Sequence, residues 1–528
     1  MKTLVILFAS SNSLHVFDRV FDGTSAFERS LAWAASVKGS QGMVILADAA
    51  IEAELSSAVQ SGSHTAEVIV QEKWTLAPFF NAIADLCDRY GADSAVYAWA
   101  DQPFLDSSLT KTLCEEHEEY GSEYTSAEGY VLGVSPEVIS AGTCRIVSAL
   151  LKERRAQNAP QSVLRTSVFD FLKLDINSYD IETHIAEEDY RLFRIQLNCG
   201  TKQNLEACRA VFQDGAHKKS AAELSEAASR NPRVLKTFPS FYNIQITDKV
   251  NVPSIYRPAS FESADGAEFM ALSEFKALIK KISLFSESAV IGFSLWGEPS
   301  LHPEFAQMVR AVLAEPGLSV LIETDGLCIT EELCAELKDA ADAVPERFTG
   351  GEQRDKIAWI VSLDAATEAM YARIHGNSSG FARAQNAVAL LSRFFIGAVY
   401  PQLVRMNENE EELEPFFRFW SAKESPSGGK LIIQKYDSLC GVLPDRKPCD
   451  LSPLERNPCW HIRRDMSILQ DGTVLFCRCM LKNQALGNAF ADDLCALWEK
   501  SNEELCRHMN GSYSTMCGKC DEYYTFNF

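Results

Sequence analysis

Short apolar runs alternate with helical patterns twice along this chain, and that alternation restricts its fold more than any other feature. Thr3–Ala9, Gly42–Ala47, Ala66–Gln71 and Asp93–Ala100 read as buried strands, while Ser25–Val37 and Leu76–Tyr90 repeat apolar residues at helical spacing. Such βα alternation is the pattern of a doubly wound parallel α/β domain. A polar stretch rich in Ala, Ser and Lys, Gln213–Arg233, follows it. A second series begins at Phe238, with strands expected at Phe241–Thr247, Ala289–Trp296, Leu318–Thr324, Ile357–Asp364, Phe394–Val404 and Lys430–Lys435. Helices are expected at Leu272–Phe285, Pro303–Ala314, Phe381–Arg393 and Glu410–Trp420. Six βα units in about 200 residues suit an incomplete barrel better than a second open sheet. From Asp445 the pattern changes to loops, cysteines and short strands. The expected division is therefore 1–200 (α/β domain), 201–237 (helical connection), 238–444 (partial βα barrel) and 445–528 (a small metal domain).

A chain of 528 residues is too long for one core. Its 46% hydrophobic and 23% charged residues are those of ordinary globular protein. A net charge of −22 argues against nucleic acid and anionic membrane surfaces as partners. The start, Met1-Lys2-Thr3 and then Leu4 to Phe8, is too short in its apolar run for a signal peptide and reads as a first strand. With no apolar run long enough to span a bilayer, a cytoplasmic location is expected.

Seven of the sixteen cysteines fall between Cys459 and Cys520. The Asp471-Gly472 turn between Cys459 and Cys477 folds a hairpin that can bring the two together. Cys517 and Cys520 form a C-x2-C pair, whose sulfurs can bind one centre. Two such pairs make a thiolate cage suited to Zn²⁺ or to an iron–sulfur cluster, and spacing alone does not choose between them. Cys479, two residues beyond Cys477, is a near neighbour or substitute ligand. Cys440, Cys449, Cys495 and Cys506 lack paired spacing and read as structural.

Cys459-Trp460, the Met466–Val474 hairpin, Cys477, Leu486-Gly487-Asn488, Leu497-Trp498 and Cys517-Gly-Lys-Cys520 resemble a SPASM domain, the auxiliary-cluster module of radical SAM enzymes. The resemblance is to the shortened, twitch-like, single-cluster form. It implies one [4Fe–4S] cluster on Cys459, Cys477, Cys517 and Cys520. Trp296-Gly297-Glu298-Pro299 resembles the "GGEP" element of radical SAM barrels, whose backbone binds S-adenosylmethionine. Thr324-Asp325-Gly326, Ser362-Leu363-Asp364 and the run from Val404 through Arg405 resemble the third-, fourth- and fifth-strand elements. The resemblance thus implies cofactor contacts at Trp296, Gly297, Glu298, Pro299, Thr324, Asp364 and Arg405.

The C-x3-C-x2-C element expected after the first barrel strand is replaced. Those positions hold Val250, Ser254 and Arg257. A valine offers no ligand, a serine hydroxyl is a poor one for iron, and arginine adds a positive charge. Reductive cleavage of S-adenosylmethionine is therefore not expected. The whole chain is similar to the spiro-SPASM family: a Rossmann-like nucleotidyltransferase-type front, a radical SAM-like partial (β/α)6 barrel and a short SPASM tail. That resemblance implies architecture more than activity.

Ala98-Trp99-Ala100-Asp101-Gln102-Pro103 resembles the "GDxPxL" element of MobA-like and cytidylyltransferase-like enzymes, which makes Asp101 a candidate Mg²⁺ ligand beside a nucleotide. The loop after the first strand, Ala9–Ser13, has no glycine for phosphate. The expected role is binding, scaffold or structural, with a small molecule, peptide or protein as partner. Nucleotidyl or glycosyl transfer in the first domain is the alternative, and radical chemistry with atypical cluster ligation a second.

Overall fold

The computed structural model describes residues 1–61, 65–154, 162–258, 269–450, 452–453, 455–479 and 485–524. The chain divides into two compact units, Met1–Thr237 with Phe348–Gln353, and Phe238–Arg347 with Arg354–Phe528.

The first unit is built on seven strands: β1 (Thr3–Ala9), β2 (Ser40–Asp48), β3 (Glu67–Gln71), β4 (Ser94–Trp99), β5 (Tyr124–Glu128), β6 (Glu137–Ser140) and β7 (Ile181–Ile185). Their order is β3-β2-β1-β4-β6-β5-β7. The first four are parallel neighbours, as the buried apolar runs require, and every residue of β1 and β4 is buried. The sheet is mixed rather than all-parallel, because the four-residue β6 runs antiparallel to both β4 and β5. A strand that short carries no period from which its direction could be read. The helix Ala26–Ser36 starts on a capping box between Ser25 and Glu28. Leu76–Tyr90 buries Phe79, Phe80 and Ile83 on the sheet, and Phe79 meets Phe8 edge-on at 5.5 Å. The stretch after residue 200 folds as the helices Lys202–Gln213, Ala221–Ser229 and Pro232–Leu235, within this same unit.

The second unit carries β8 (Phe241–Ile244), β9 (Ala289–Phe293) and β10 (Leu318–Thr324). Then come a short ribbon, β11 (Arg347–Thr349) and β12 (Glu352–Arg354), whose tip counts with the first unit, and β13 (Ile357–Ser362), β14 (Val399–Arg405) and β15 (Ile432–Lys435). Strands β8, β9, β10, β13, β14 and β15 lie in chain order and all pair in parallel. That is the order of a βα barrel left open. Helices Leu272–Ser286, Phe305–Leu313, Glu331–Asp342 and Gly380–Phe394 cover it, burying Phe275, Met308, Leu337 and Leu391 in one apolar core. The tail is continuous with this sheet. Its strands β16 (Asp465–Ile468), β17 (Thr473–Leu475) and β18 (Ala485–Asn488) extend the edge at β8, with β16 parallel to β8 and the other two antiparallel.

Candidate metal centre and barrel cavity

The tail hairpin turns at Gly472, whose φ is +83° and whose added Cβ would meet the Phe490 ring at 2.6 Å, so glycine alone closes it. Cys459 caps the short helix Trp460–Arg464 before the hairpin, and Cys477 follows β17. Cys517 and Cys520 bracket one helical turn. The four thiols from these segments act on one another: Cys459 on Cys477 and Cys520, Cys517 on Cys477. Donors are aimed at the sulfurs. The backbone N–H groups of Ile462 and His461 donate to Cys459, the Glu522 N–H to Cys520 at 3.3 Å, and the Ser514 hydroxyl to Cys517. Such donors favour thiolate over thiol, the form that binds metal, but at Cys459 and Cys517 burial outweighs them and pushes the thiols up. His508 joins the two sides: its Nδ1 takes the Cys459 N–H at 3.4 Å, and Glu504, His508 and Cys517 gather ligand atoms within 4.8 Å. The guanidinium of Arg456, between the Tyr513 and Tyr523 rings, donates to the Cys517 carbonyl at 2.7 Å.

Two further cysteines belong to this neighbourhood. Cys440 and Cys479 act on each other and on Cys520, and Cys479 also acts on Cys477. The nearby Cys440 and then Cys479 thiols pull the Cys520 thiol well below its usual range. Spacing leaves Cys440 as a structural thiol. The fold brings it in because Leu439 and Cys440 both take left-handed φ, 51° and 57°, and bend the loop after β15 back on itself. Nearby, Asp437, Asp521 and Glu522 also lie within 4.8 Å of one another. Their charge is met from within: Lys435 reaches Glu522 at 2.6 Å, Lys447 reaches Asp521, and Arg478 reaches Asp437 at 3.2 Å.

The barrel loop with the three replaced cysteine positions is tied up differently. Val250 is 45% exposed. The Ser254 hydroxyl bonds His375 Nδ1 at 2.7 Å, and His375 Nε2 lies 3.0 Å from Asp364 Oδ2. The Tyr256 hydroxyl donates to that same oxygen at 2.7 Å, and the Val404 N–H to Oδ1 at 2.7 Å. Asp364 is fully buried with φ +60°, a conformation uncommon outside glycine, asparagine and aspartate.

Of the residues expected to hold a cofactor, Trp296 and Gly297 reach the barrel cavity. A Cβ on Gly297 would lie 1.7 Å from the Thr247 carbonyl oxygen, so the loop after β9 needs glycine to pass the end of the first barrel strand. Glu298 serves the frame. Its carboxylate accepts the Thr324 hydroxyl at 2.8 Å, the Asp325 N–H at 2.8 Å and the Ser300 N–H at 3.1 Å, joining the second- and third-strand elements. Burial, with Asp325 beside it, raises its carboxyl to about 7. Pro299 is buried at the head of a single turn, Asp364 is taken up by the loop network, and Arg405 pairs with Glu410 at 2.8 Å through Nε.

The cavity measures about 120 Å³ and is lined from all six parallel strands or the loops after them, including Asn243, Trp296, Glu323, Ser362, Gln402 and Gln434. Arg257, in the third replaced position, also lines it, as do Lys435, Asp437 and Arg478. Sequence reading passed over Glu323, Gln402 and Gln434. They sit inside strands and point inward by alternation, a signal that mattered once the strands were known to form the wall.

In the first unit Asp101 is 1% exposed at the end of β4. Its Oδ2 accepts the Ser13 hydroxyl at 2.8 Å and is paired by Arg165, whose guanidinium lies 4.3 Å over the Trp99 ring. The loop after β1 folds onto Asp48, which accepts the Ser11 N–H at 2.8 Å. Gly351 packs so closely here that a Cβ would meet Trp99 at 2.9 Å and Arg165 at 3.0 Å. The carboxylate thus already has a cation, and a loop N–H that a phosphate would need goes to a protein acid.

Among the described residues no helix is long and apolar enough to cross a membrane. No family model matches the chain. Among solved structures it is similar to a cytidylyltransferase from Leptospira borgpetersenii (14% identity, TM-score 0.37, 45% of this chain and 98% of that one). It is also similar to BtrN in complex with AdoMet and 2-DOIA (16%, 0.34, 54% and 94%) and to Streptococcus suis SuiB bound to precursor peptide SuiA (15%, 0.38, 67% and 78%). A 134-residue stretch is 26% identical to the spore coat polysaccharide biosynthesis protein SpsF of Bacillus subtilis, over 25% of this chain and 53% of SpsF. An uncharacterized protein of Treponema pallidum (strain Nichols) is 40% identical over 371 residues, covering 68% of this chain and 98% of that protein. With that relative matched over nearly its whole length, the chain belongs to the family of this Treponema pallidum protein.

Proposed function

We propose that this is an iron–sulfur binding protein of the spiro-SPASM kind, with one [4Fe–4S] cluster on Cys459, Cys477, Cys517 and Cys520 and a barrel that holds a small molecule without cleaving S-adenosylmethionine. The observation that carries this reading is the contrast within one sheet. Four tail thiols lie near enough to feel one another's charge, with N–H and O–H donors aimed at three of their sulfurs, whereas Val250, Ser254 and Arg257 stand in the barrel positions that would need thiolates. Bound, such a cluster ties three segments together and supplies an electron-transfer centre; Zn²⁺ would supply only the tie. Glu504 and His508 flank Cys517; neighbouring groups lower the Cys520 thiol, whereas burial raises those of Cys459 and Cys517, so metal binding there would have to displace the proton.

Anaerobic purification followed by iron, sulfide and zinc analysis and a visible spectrum tests this. About four irons and four sulfides per chain are expected, with the absorption lost in Cys517→Ala. One zinc and no iron would replace the cluster by a structural metal. Formation of 5′-deoxyadenosine from S-adenosylmethionine under reducing conditions would refute the silent barrel.

A further inference from the structure

The charged groups lining the barrel cavity fall into two classes. Lys435 and Arg478 are spoken for by Glu522 and Asp437. Arg257 and Glu323 are not: among the described residues neither side chain has a hydrogen-bonding or ion-pair partner, although both line the cavity and feel each other's charge. They are too far apart to pair directly, so the space between a free cation and a free anion is open. An arginine fork matches a carboxylate in two parallel bonds, and a buried carboxylate matches an ammonium. Burial holds the Glu323 carboxyl above its usual range against the pull of Arg478 and Arg257, so an incoming cation is what would let it ionise fully.

The walls between them are uncharged hydrogen-bonding groups, Asn243, Ser362 and Gln402, with Trp296 and Leu295 as the apolar surface. Leu295 and Leu439, both lining the cavity, take left-handed φ of 72° and 51°, strain that concentrates at functional sites. A cavity of about 120 Å³ has room for several waters, and so for a small metabolite.

We propose that this cavity is a receptor for a free α-amino acid, with Arg257 on its carboxylate and Glu323 on its ammonium. This rests on the reading of the barrel as a binding site, and it gives Arg257 a role in place of the lost thiolate.

The test is calorimetric titration of the full-length, anaerobically purified protein with each of the common amino acids, with S-adenosylmethionine, and with the N-acetyl and C-terminal amide forms of the best binder. Saturable binding of at least one free amino acid is expected, weakened about tenfold or more by either cap. Arg257→Gln should weaken the free acid yet leave the amide form unchanged, and Glu323→Gln should do the same for the N-acetyl form. A variant that merely misfolds would weaken free and capped forms alike. That outcome, no binding by any amino acid, or tighter binding of S-adenosylmethionine than of the best free amino acid, overturns the proposal. Cluster absorption recorded on the same samples separates the two readings: intact absorption without binding removes only the ligand class, whereas lost absorption removes the cluster reading itself.

Discussion

The tail and the barrel loop are both places where polar side chains from distant segments meet at the end of one sheet, and they are resolved in opposite ways. In the loop the polar groups satisfy one another. Ser254, His375, Asp364 and Tyr256 form a closed chain of hydrogen bonds, and the acid at its centre is fully buried. In the tail the donors come from outside the set and point at sulfur, so the thiols are left with lone pairs to give. Buried polar groups must be satisfied either by protein or by a guest. The loop takes the first course; under the proposed reading the tail takes the second. Asp101 in the first unit sides with the loop, closed by Ser13 and Arg165.

The largest expected effect lies on the open side. Cys477→Ala should abolish cluster absorption, whereas Cys440→Ala, which removes a neighbour and not a ligand, should keep the iron; equal loss in both would make Cys440 part of the cage.

On the closed side, Asp101→Ala strands the half-buried Arg165 guanidinium and should cost about 3 kcal/mol of unfolding free energy, with no change in Mg²⁺-dependent nucleotide binding. Urea unfolding and nucleotide titration read the two parts; nucleotide binding in the wild type that vanishes in the variant would move Asp101 to the open class.

His117 sharpens the cost of closure. It lies between Ser94 and Thr125, and burial lowers its imidazole from 6.5 to about 4. The unfolded chain then takes up the proton first on acidification, so the stability due to neutral His117 is complete above about pH 6.5 and drains away toward pH 4. The loss is roughly 3 kcal/mol at most. Comparing urea midpoints at about pH 7 and about pH 4.5 in wild type and His117→Gln should show a shallower acid loss in the variant.

The smallest expected effect is the most direct challenge to the contrast. Replacing Val250, Ser254 and Arg257 together with cysteine restores the ligands without restoring their shell. Iron should stay near four per chain, because Tyr256 and the Ile255 N–H, bonded to the Ile374 carbonyl at 3.1 Å, still hold the loop. A count near eight would show that ligand identity alone separates loop from tail.

Much of this was legible in the residues. Thr3–Ala9, Leu76–Tyr90 and Leu318–Thr324 appear with the boundaries their apolar periods indicate. Sequence reading left out the helices Glu331–Asp342 and Glu368–His375, in which charged residues break up the apolar run. Strand ends moved as well, since Ala289–Trp296 narrows to Ala289–Phe293 where the chain turns at Leu295.

Sequence by itself determined the two βα series, the cysteine spacing of the tail and the presence of Val250, Ser254 and Arg257 in place of any cysteine in the barrel loop, because each depends on local period or on the identity of a residue. Only tertiary structure decided what those residues do. It tied Glu298 to Thr324 and Asp325, joined the tail hairpin to the first barrel strand, brought Cys440 to Cys520, and left Arg257 and Glu323 facing one cavity without partners among the described residues. The reason is physical: a buried polar atom's partner is set by which surfaces close over it, and those surfaces come from parts of the chain far apart in sequence.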